Sequence, residues 1–511
     1  MPLILPGNVA SATASTGFNV GNSLRFNSAD SAHLDLTDPI GNNYYGQFTF
    51  SFWVKRCKLG SEQYIVQSSQ TSTASFGGIS FNSGDQLVVQ LYDSTDNLQL
   101  SMITNRLFRD VSAWYHIMVA FDLSDGTTAD RIKIYVNGTR ETSFATSTIP
   151  GSGFGSAFFI NNTDPLYIGR GRNPGGTTVY SDFYLAQFLC VTADSGDTNG
   201  LNADAELIPT QVGEFDEDSP KIWKPIEIDT AVLGASLDMS DNLGTNGFFL
   251  DFADSSNLGN DVNGGADWDE NNIAAADQAV DSPTNNFATF NPLENYHAGG
   301  TFSEGNAKYT NPSGRHDFAV STIGMTAGKW YYEVKVHQDT DYNTIGISDH
   351  SYQGSNQELS EDNYSYAYYN ESGAGAVRAA ASNILTSMPD FGDGDIIGVA
   401  VDLDNHKLYF SKNGSFINSG DPTSGSTGTG AVSIQDLSSV STSYGQGVYF
   451  FAAGLWNTDS AAGNYSANFG GCSAFTVSSA ASDGNGYGNF EYAPPSGYLA
   501  LCTKNLGSDG G

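Results

Sequence analysis

Basic residues are scarce in this chain. Its 511 residues hold 21 Lys and Arg against 56 Asp and Glu, for a formal net charge of −35. Such a surface repels phosphate backbones and anionic headgroups, which argues against nucleic acid or a membrane surface as partner. Cysteine is equally rare. Cys57, Cys190, Cys472 and Cys502 are far apart and form no CxxC, so neither a disulfide framework nor a zinc site is expected. The seven histidines make no HxH or HxxxH pair, and no GxSxG nucleophile elbow occurs. No apolar run reaches the length of a membrane span, and Pro2 and Pro6 interrupt the first one, which lacks a basic lead-in. The reading is a protein without membrane insertion, made in a cytoplasm without a cleavable signal. Long helical periodicity is also missing.

What the chain has is Gly (58 residues), Tyr (26) and Phe (31), the composition of many short strands joined by turns. Two stretches repeat one device. VAFDLSDGTTADRIKIYVNG starts at Val119 and VAVDLDNHKLYFSKNG at Val399. Each is an apolar strand ending in Asp (Asp122, Asp402), a polar turn, an alternating return strand and an Asn-Gly. Asn-Gly suits the positive φ of a tight hairpin. The repetition predicts an all-β chain of two antiparallel jelly-roll sandwiches in tandem, preceded by a short N-terminal arm.

Residues 1–20 read as a small-residue arm and 507–511 as a flexible tail. SLRFNSADSAHLDL, FTFSFWVKR, WYHIMVAFD, IKIYVNG, LYIGR and FYLAQFLCV follow in order. This set resembles a laminin-G-like domain of the concanavalin A-like lectin and glucanase superfamily, with its core over 21–195. The resemblance implies a jelly roll of two antiparallel sheets. A connector completes this domain to residue 280. Its segments GEFDEDSPKIWKPIE, GTNGFFLDFADSSNLGNDVNGGADW and VDSPTNNFATFNP resemble a connector of tail or virion-surface proteins of marine bacteriophages. From 281 to 506, GKWYYEVKV, IGIS, GDIIGVAVDLDNHKLYFSKNG, YFFAAG and NFG resemble a SPRY domain. A polar insertion, 421–446, departs from that pattern.

Candidate chemistry is thin. A concanavalin-like glucanase sets carboxylates along one strand. The nearest match, Glu214 to Asp218, runs into Ser219-Pro220 and reads as a turn. Asp251, Asp254 and Asp261 are weak calcium candidates in an Asp/Asn/Gly-rich loop, a hard cation preferring such oxygens. Tyr364, Tyr366, Tyr368 and Tyr369, with Trp456, are the candidate ligand-binding residues. Packed inside the sandwich they are core, and at a loop end they offer rings to a sugar or protein.

The expectation is a non-enzymatic bacteriophage structural protein, a tail fibre or a capsid fibre or decoration subunit on the virion surface. It binds host-surface glycan or protein, meets other virion proteins through the arm, and forms a homo-oligomer, a trimer among the options. The alternatives are a polysaccharide depolymerase and a bacterial surface adhesin. Catalytic residues are none, and no cofactor is expected apart from possible calcium.

Overall fold

The computed structural model describes residues 17–36, 47–69, 76–92, 97–123, 125–151, 165–173, 175–192, 206–237, 242–244, 246–294, 299–311, 316–337, 342–349, 358–371, 373–439, 447–455 and 462–508. The chain divides into two compact units that part between Thr284 and Asn285. Both are β-sandwiches built almost wholly of antiparallel strands.

In the first unit, one sheet runs in the order Thr139–Arg140, Ile132–Val136, Trp114–Asp122, Gln47–Arg56, Phe183–Thr192, Ser23–Phe26, Gln278–Ala279, and Phe248–Leu250 joins it beside Phe183–Thr192. The facing sheet runs Phe144–Thr148, Leu98–Leu107, Gln86–Tyr92, Phe76–Phe81, Gln63–Ser69, Leu166–Ile168, His33–Leu36, Asp269–Asn271. Side chains alternate across a strand, so Phe48, Phe50, Phe52 and Val54 enter the core between the sheets. Thr49, Ser51, Trp53 and Lys55 face the other way, yet all ten residues of Gln47–Arg56 are buried. The cause is a second apolar layer, in which Leu207, Val212, Leu233, Leu237 and Leu243 pack over Met118, Leu189 and Val191. Helix Thr230–Ser236 belongs to this layer, and the Asp229 carboxylate caps it by accepting from Ala231 N and Val232 N.

These contacts correct the expected boundaries. The core does not stop at 195, because the connector supplies strands to both sheets and a cover to one. The arm ends before Val20, which is buried and donates its N–H to Thr284 Oγ1 (3.1 Å); residues 1–16 lie outside the described residues. Asp281 belongs to the first unit. Its carboxylate holds Lys55 Nζ at 2.7 Å, with both side chains 1% exposed, and accepts from Trp114 Nε1 (3.1 Å).

The second unit sets a nine-stranded sheet against a six-stranded one. The path of the first is Thr301–Ser303, Lys308–Thr310, Asn464–Asn468, Lys329–Val336, Ile396–Asp402, Lys407–Lys412, Ser415–Phe416, with Val432–Ser433 and Leu499–Ala500 attached beside it. The other is Asp317–Val320, Phe450–Leu455, Asn343–Ser348, Ser365–Glu371, Ala374–Ala379, Ser382–Met388. Glu333 sits fully buried in the larger sheet. Its carboxylate accepts from Tyr331 Oη, Asn468 Nδ2, Glu491 N and Tyr492 N, which fixes the C-terminal segment to that sheet. The last described residues form helix Thr503–Ser508, so residues 507 and 508, placed in the expected tail, are helical.

The repeated device is the same structure twice. Asn137 and Gly138 (φ 48° and 71°) and Asn413 and Gly414 (φ 48° and 80°) both turn through left-handed backbone, as a type I′ hairpin requires. In each, the Asn side-chain Oδ1 accepts a neighbouring strand's N–H, His116 N at 2.8 Å and Ile396 N at 2.9 Å. An aromatic ring covers each glycine, Trp223 in the first unit and Tyr492 in the second, so a Cβ at either site meets a ring carbon within 2.5 Å.

Candidate functional site

The tyrosine cluster is not a surface. Tyr366, Tyr368 and Tyr369 are 5%, 0% and 1% exposed, because Ser365–Glu371 is an interior strand between Asn343–Ser348 and Ala374–Ala379. Tyr366 and Tyr368 point into the sandwich core. Tyr369 faces outward and is covered by Arg378, whose guanidinium lies 4.9 Å from its ring centroid. Tyr364 precedes the strand and is half-buried. Trp456 lies outside the described residues. Tyr366 has a positioning role, since its hydroxyl accepts from Gln435 N (3.1 Å) while the Tyr449 hydroxyl donates to Gln435 O (3.2 Å).

The calcium candidates are turn-makers. Asp251 accepts from Ala253 N, and Asp254 from the backbone and hydroxyl of Ser256. Asp261 is buried and accepts from Phe249 N, Asn263 N and Gly265 N. Among the described residues no three His, Cys, Asp or Glu side chains gather as a metal site. Glu214 lies on a two-stranded ribbon, Gly213–Phe215 with Trp223–Pro225, where Lys224 Nζ approaches both Glu214 (3.1 Å) and Asp216 (3.5 Å). That is a ribbon closed by a turn, with its acids engaged by Lys224. His116 is buried beneath Trp53 and Trp223, 5.0 and 5.7 Å between centroids, and burial lowers its pKa to about 3.

The better site lies on the facing sheet of the first unit. A depression of ≈230 Å³ opens on it. Glu62, Tyr64, Ser80, Val88, Gln90 and Tyr92 line it, with Gly78 at the floor. The cross-strand register assembles it: Tyr64 lies opposite Ser80, Gly78 opposite both Gln67 and Gln90, Ser80 opposite Val88. Neighbouring groups are held rigidly. Gln67 Nε2 donates to Arg172 O (3.1 Å) and Gln90 Nε2 to Ser101 Oγ (3.2 Å). The Tyr64 hydroxyl is held protonated, first by burial and then by the nearby Glu62 and Tyr92. Tyr64 is buried beneath Gly171, so the site offers the half-buried Tyr92 ring, an amide, a hydroxyl and one carboxylate. Sequence reasoning passed over it because Gln86-Leu-Val-Val-Gln-Leu-Tyr92 reads as one alternating strand among many.

Two family models match this chain. Residues 27–189 match the Concanavalin A-like lectin/glucanases superfamily, and residues 329–428 match the SPRY domain. The first unit thus carries a concanavalin A-like domain and the second a SPRY domain, both of which point to binding modules. Among solved structures, the chain is similar to the SPRY domain of human HERC1, at 14% identity over 37% of this chain and 99% of that one, with a TM-score of 0.27. It is also similar to the native heptameric SAP-like pentraxin of Limulus polyphemus, at 15% identity over 34% of this chain and 77% of that one, with a TM-score of 0.25. No curated protein matches it.

Proposed function

We propose that this protein is a non-enzymatic binding protein of a bacteriophage virion surface, a tail fibre or a capsid fibre or decoration subunit, that holds a neutral host-surface glycan on the facing sheet of its first unit. The observation that carries the glycan reading is the depression lined by Tyr92, Gln90, Ser80 and Glu62. Its ≈230 Å³ falls below the roughly 300–1,000 Å³ of drug-sized ligand pockets, a size suited to one sugar ring. The Tyr92 ring supplies contact area at small entropic cost, and Gln90, Ser80 and Glu62 supply partners for sugar hydroxyls. The net charge of −35 favours a neutral ligand over an acidic one. The phage assignment rests on the connector's resemblance. In this reading the segment before Val20 seats the protein on other virion proteins, copies assemble into a homo-oligomer such as a trimer, and repeated weak sites gain roughly 10²–10⁴ in avidity.

Tyr92→Ala and Gln90→Ala should leave the fold intact and reduce binding to host cells and host glycan at least several-fold. Purified particles should contain the protein at their surface. Unchanged binding in both variants overturns the site, new reducing ends released from host glycan overturn the non-enzymatic reading, and absence from particles overturns the virion assignment.

A further inference from the structure

We propose that one end of the second unit is a cleft for a single basic side chain, Lys or Arg, presented by a protein partner. The cleft encloses ≈160 Å³. Met325, Leu403 and Tyr449 form a buried floor, Leu437 is half-buried at one side, and His406 and Asp436 stand at the rim. Four chain segments make the walls, and each is tied to another. Met325 and Tyr449 exchange backbone hydrogen bonds (2.7 and 3.0 Å). Ile434 N donates to His406 O (3.1 Å). The buried hydroxyls of Tyr366 and Tyr449 grip the N–H and C=O of Gln435. The polar insertion is thereby fixed beside the Leu403–His406 turn, with Asp436 set at the mouth.

The volume and the chemistry select the occupant. A hole this small lies well under the range of small-molecule pockets and suits one side chain of a larger partner. Its apolar floor accepts an aliphatic stem, while a carboxylate at the rim accepts a cationic head, the way Lys and Arg side chains divide between apolar and polar surroundings. Asp436 is already oriented, since its Oδ1 accepts from Ser438 N (2.9 Å) and Ser438 Oγ (2.6 Å). Those bonds, with the nearby His406, hold it below the usual carboxylate range. Its Oδ2 lies 4.0 Å from His406 Nε2, a spacing that a donor nitrogen can bridge when the imidazole is neutral. The chain's net charge of −35 favours a basic partner at long range.

The test uses the full chain labelled at its methionine methyls. Acetyl-Gly-Lys-Gly-amide and its Arg counterpart are titrated in beside norleucine and Gln counterparts, with the Met325 methyl resonance as readout. Both basic peptides should shift it saturably and the other two should not. Asp436→Asn should weaken binding about tenfold, the size of one charge-assisted hydrogen bond. Thr326→Lys, which tethers a cation at the exposed rim, should block the peptides without altering the fold. Absence of a saturable shift, equal binding of the norleucine peptide, or unchanged affinity in both variants overturns the proposal. The outcome is independent of glycan binding, which is read on the other unit.

Discussion

Replacing Asp281 by alanine tests how the first unit is closed. Asp281 and Lys55 are each 1% exposed and 2.7 Å apart, and the second carboxylate oxygen accepts from Trp114 Nε1 at 3.1 Å. The substitution removes the carboxylate from a buried ammonium and from a buried indole N–H. Loss of one partner of a buried ion pair costs about 3–5 kcal/mol, and the lost indole bond adds roughly 1 kcal/mol. The expected loss is thus about 5 kcal/mol, or roughly 10–20 °C in melting temperature for a unit of this size. Lys55→Met combined with Asp281→Leu should recover most of it, because a well-packed apolar pair often matches a buried ion pair. Urea unfolding followed by hydrogen exchange of the Gln47–Arg56 amides reads the first unit specifically. A loss under about 1 kcal/mol for Asp281→Ala, the range of an exposed pair, would refute the reasoning and would mean that water reaches Lys55.

The two units should respond oppositely to pH. Glu333 is raised from 4.5 to about 7 by burial, against the hydrogen bonds that lower it. Its contribution is full below the unfolded value and is lost as pH rises through about 7, so from pH 7.5 to 5 the second unit gains about 2 kcal/mol. His116 is lowered from 6.5 to about 3 by burial. The folded state resists the proton that the unfolded chain takes up, so over the same interval the first unit loses about 2 kcal/mol. Domain-resolved hydrogen exchange checks both signs, and Glu333→Gln and His116→Asn should flatten the respective profiles. The hairpin turn at Ala380 and Ala381 holds two alanines at φ 50° and 56°, through bonds from their N–H groups to Asp362 O and Ser360 O. An Asn-Gly replacement should stabilise the second unit by about 1 kcal/mol, read as a raised urea midpoint, since left-handed backbone strains alanine and suits Asn-Gly.

Local physics made much of the fold legible. Period-two alternation in Phe48-Thr-Phe-Ser-Phe-Trp-Val54 names an inward face without any knowledge of the partner sheet. Asn137-Gly138 and Asn413-Gly414 specify their turns because few other pairs tolerate two positive φ values in succession. The strand motifs in order were enough to place a concanavalin A-like and a SPRY domain, as the family matches show. Alternation separates the two faces of a strand but does not say which face another element covers. Thr49, Ser51 and Trp53 look like a solvent face and are buried, because a layer with Leu207, Val212, Leu233, Leu237 and Leu243 packs over that sheet. Tyr366, Tyr368 and Tyr369 look like a binding surface and are buried, because Tyr366 and Tyr368 face the opposing sheet across the core and Arg378 covers Tyr369. The depression at Tyr64 and Tyr92 takes residues from four successive strands whose register is fixed only when the sheet pairs. Adjacency along the chain is written in the order of residues. Adjacency across the sheet, and the covering of a face by a later segment, follow from long-range pairing and burial, which only the tertiary structure decides.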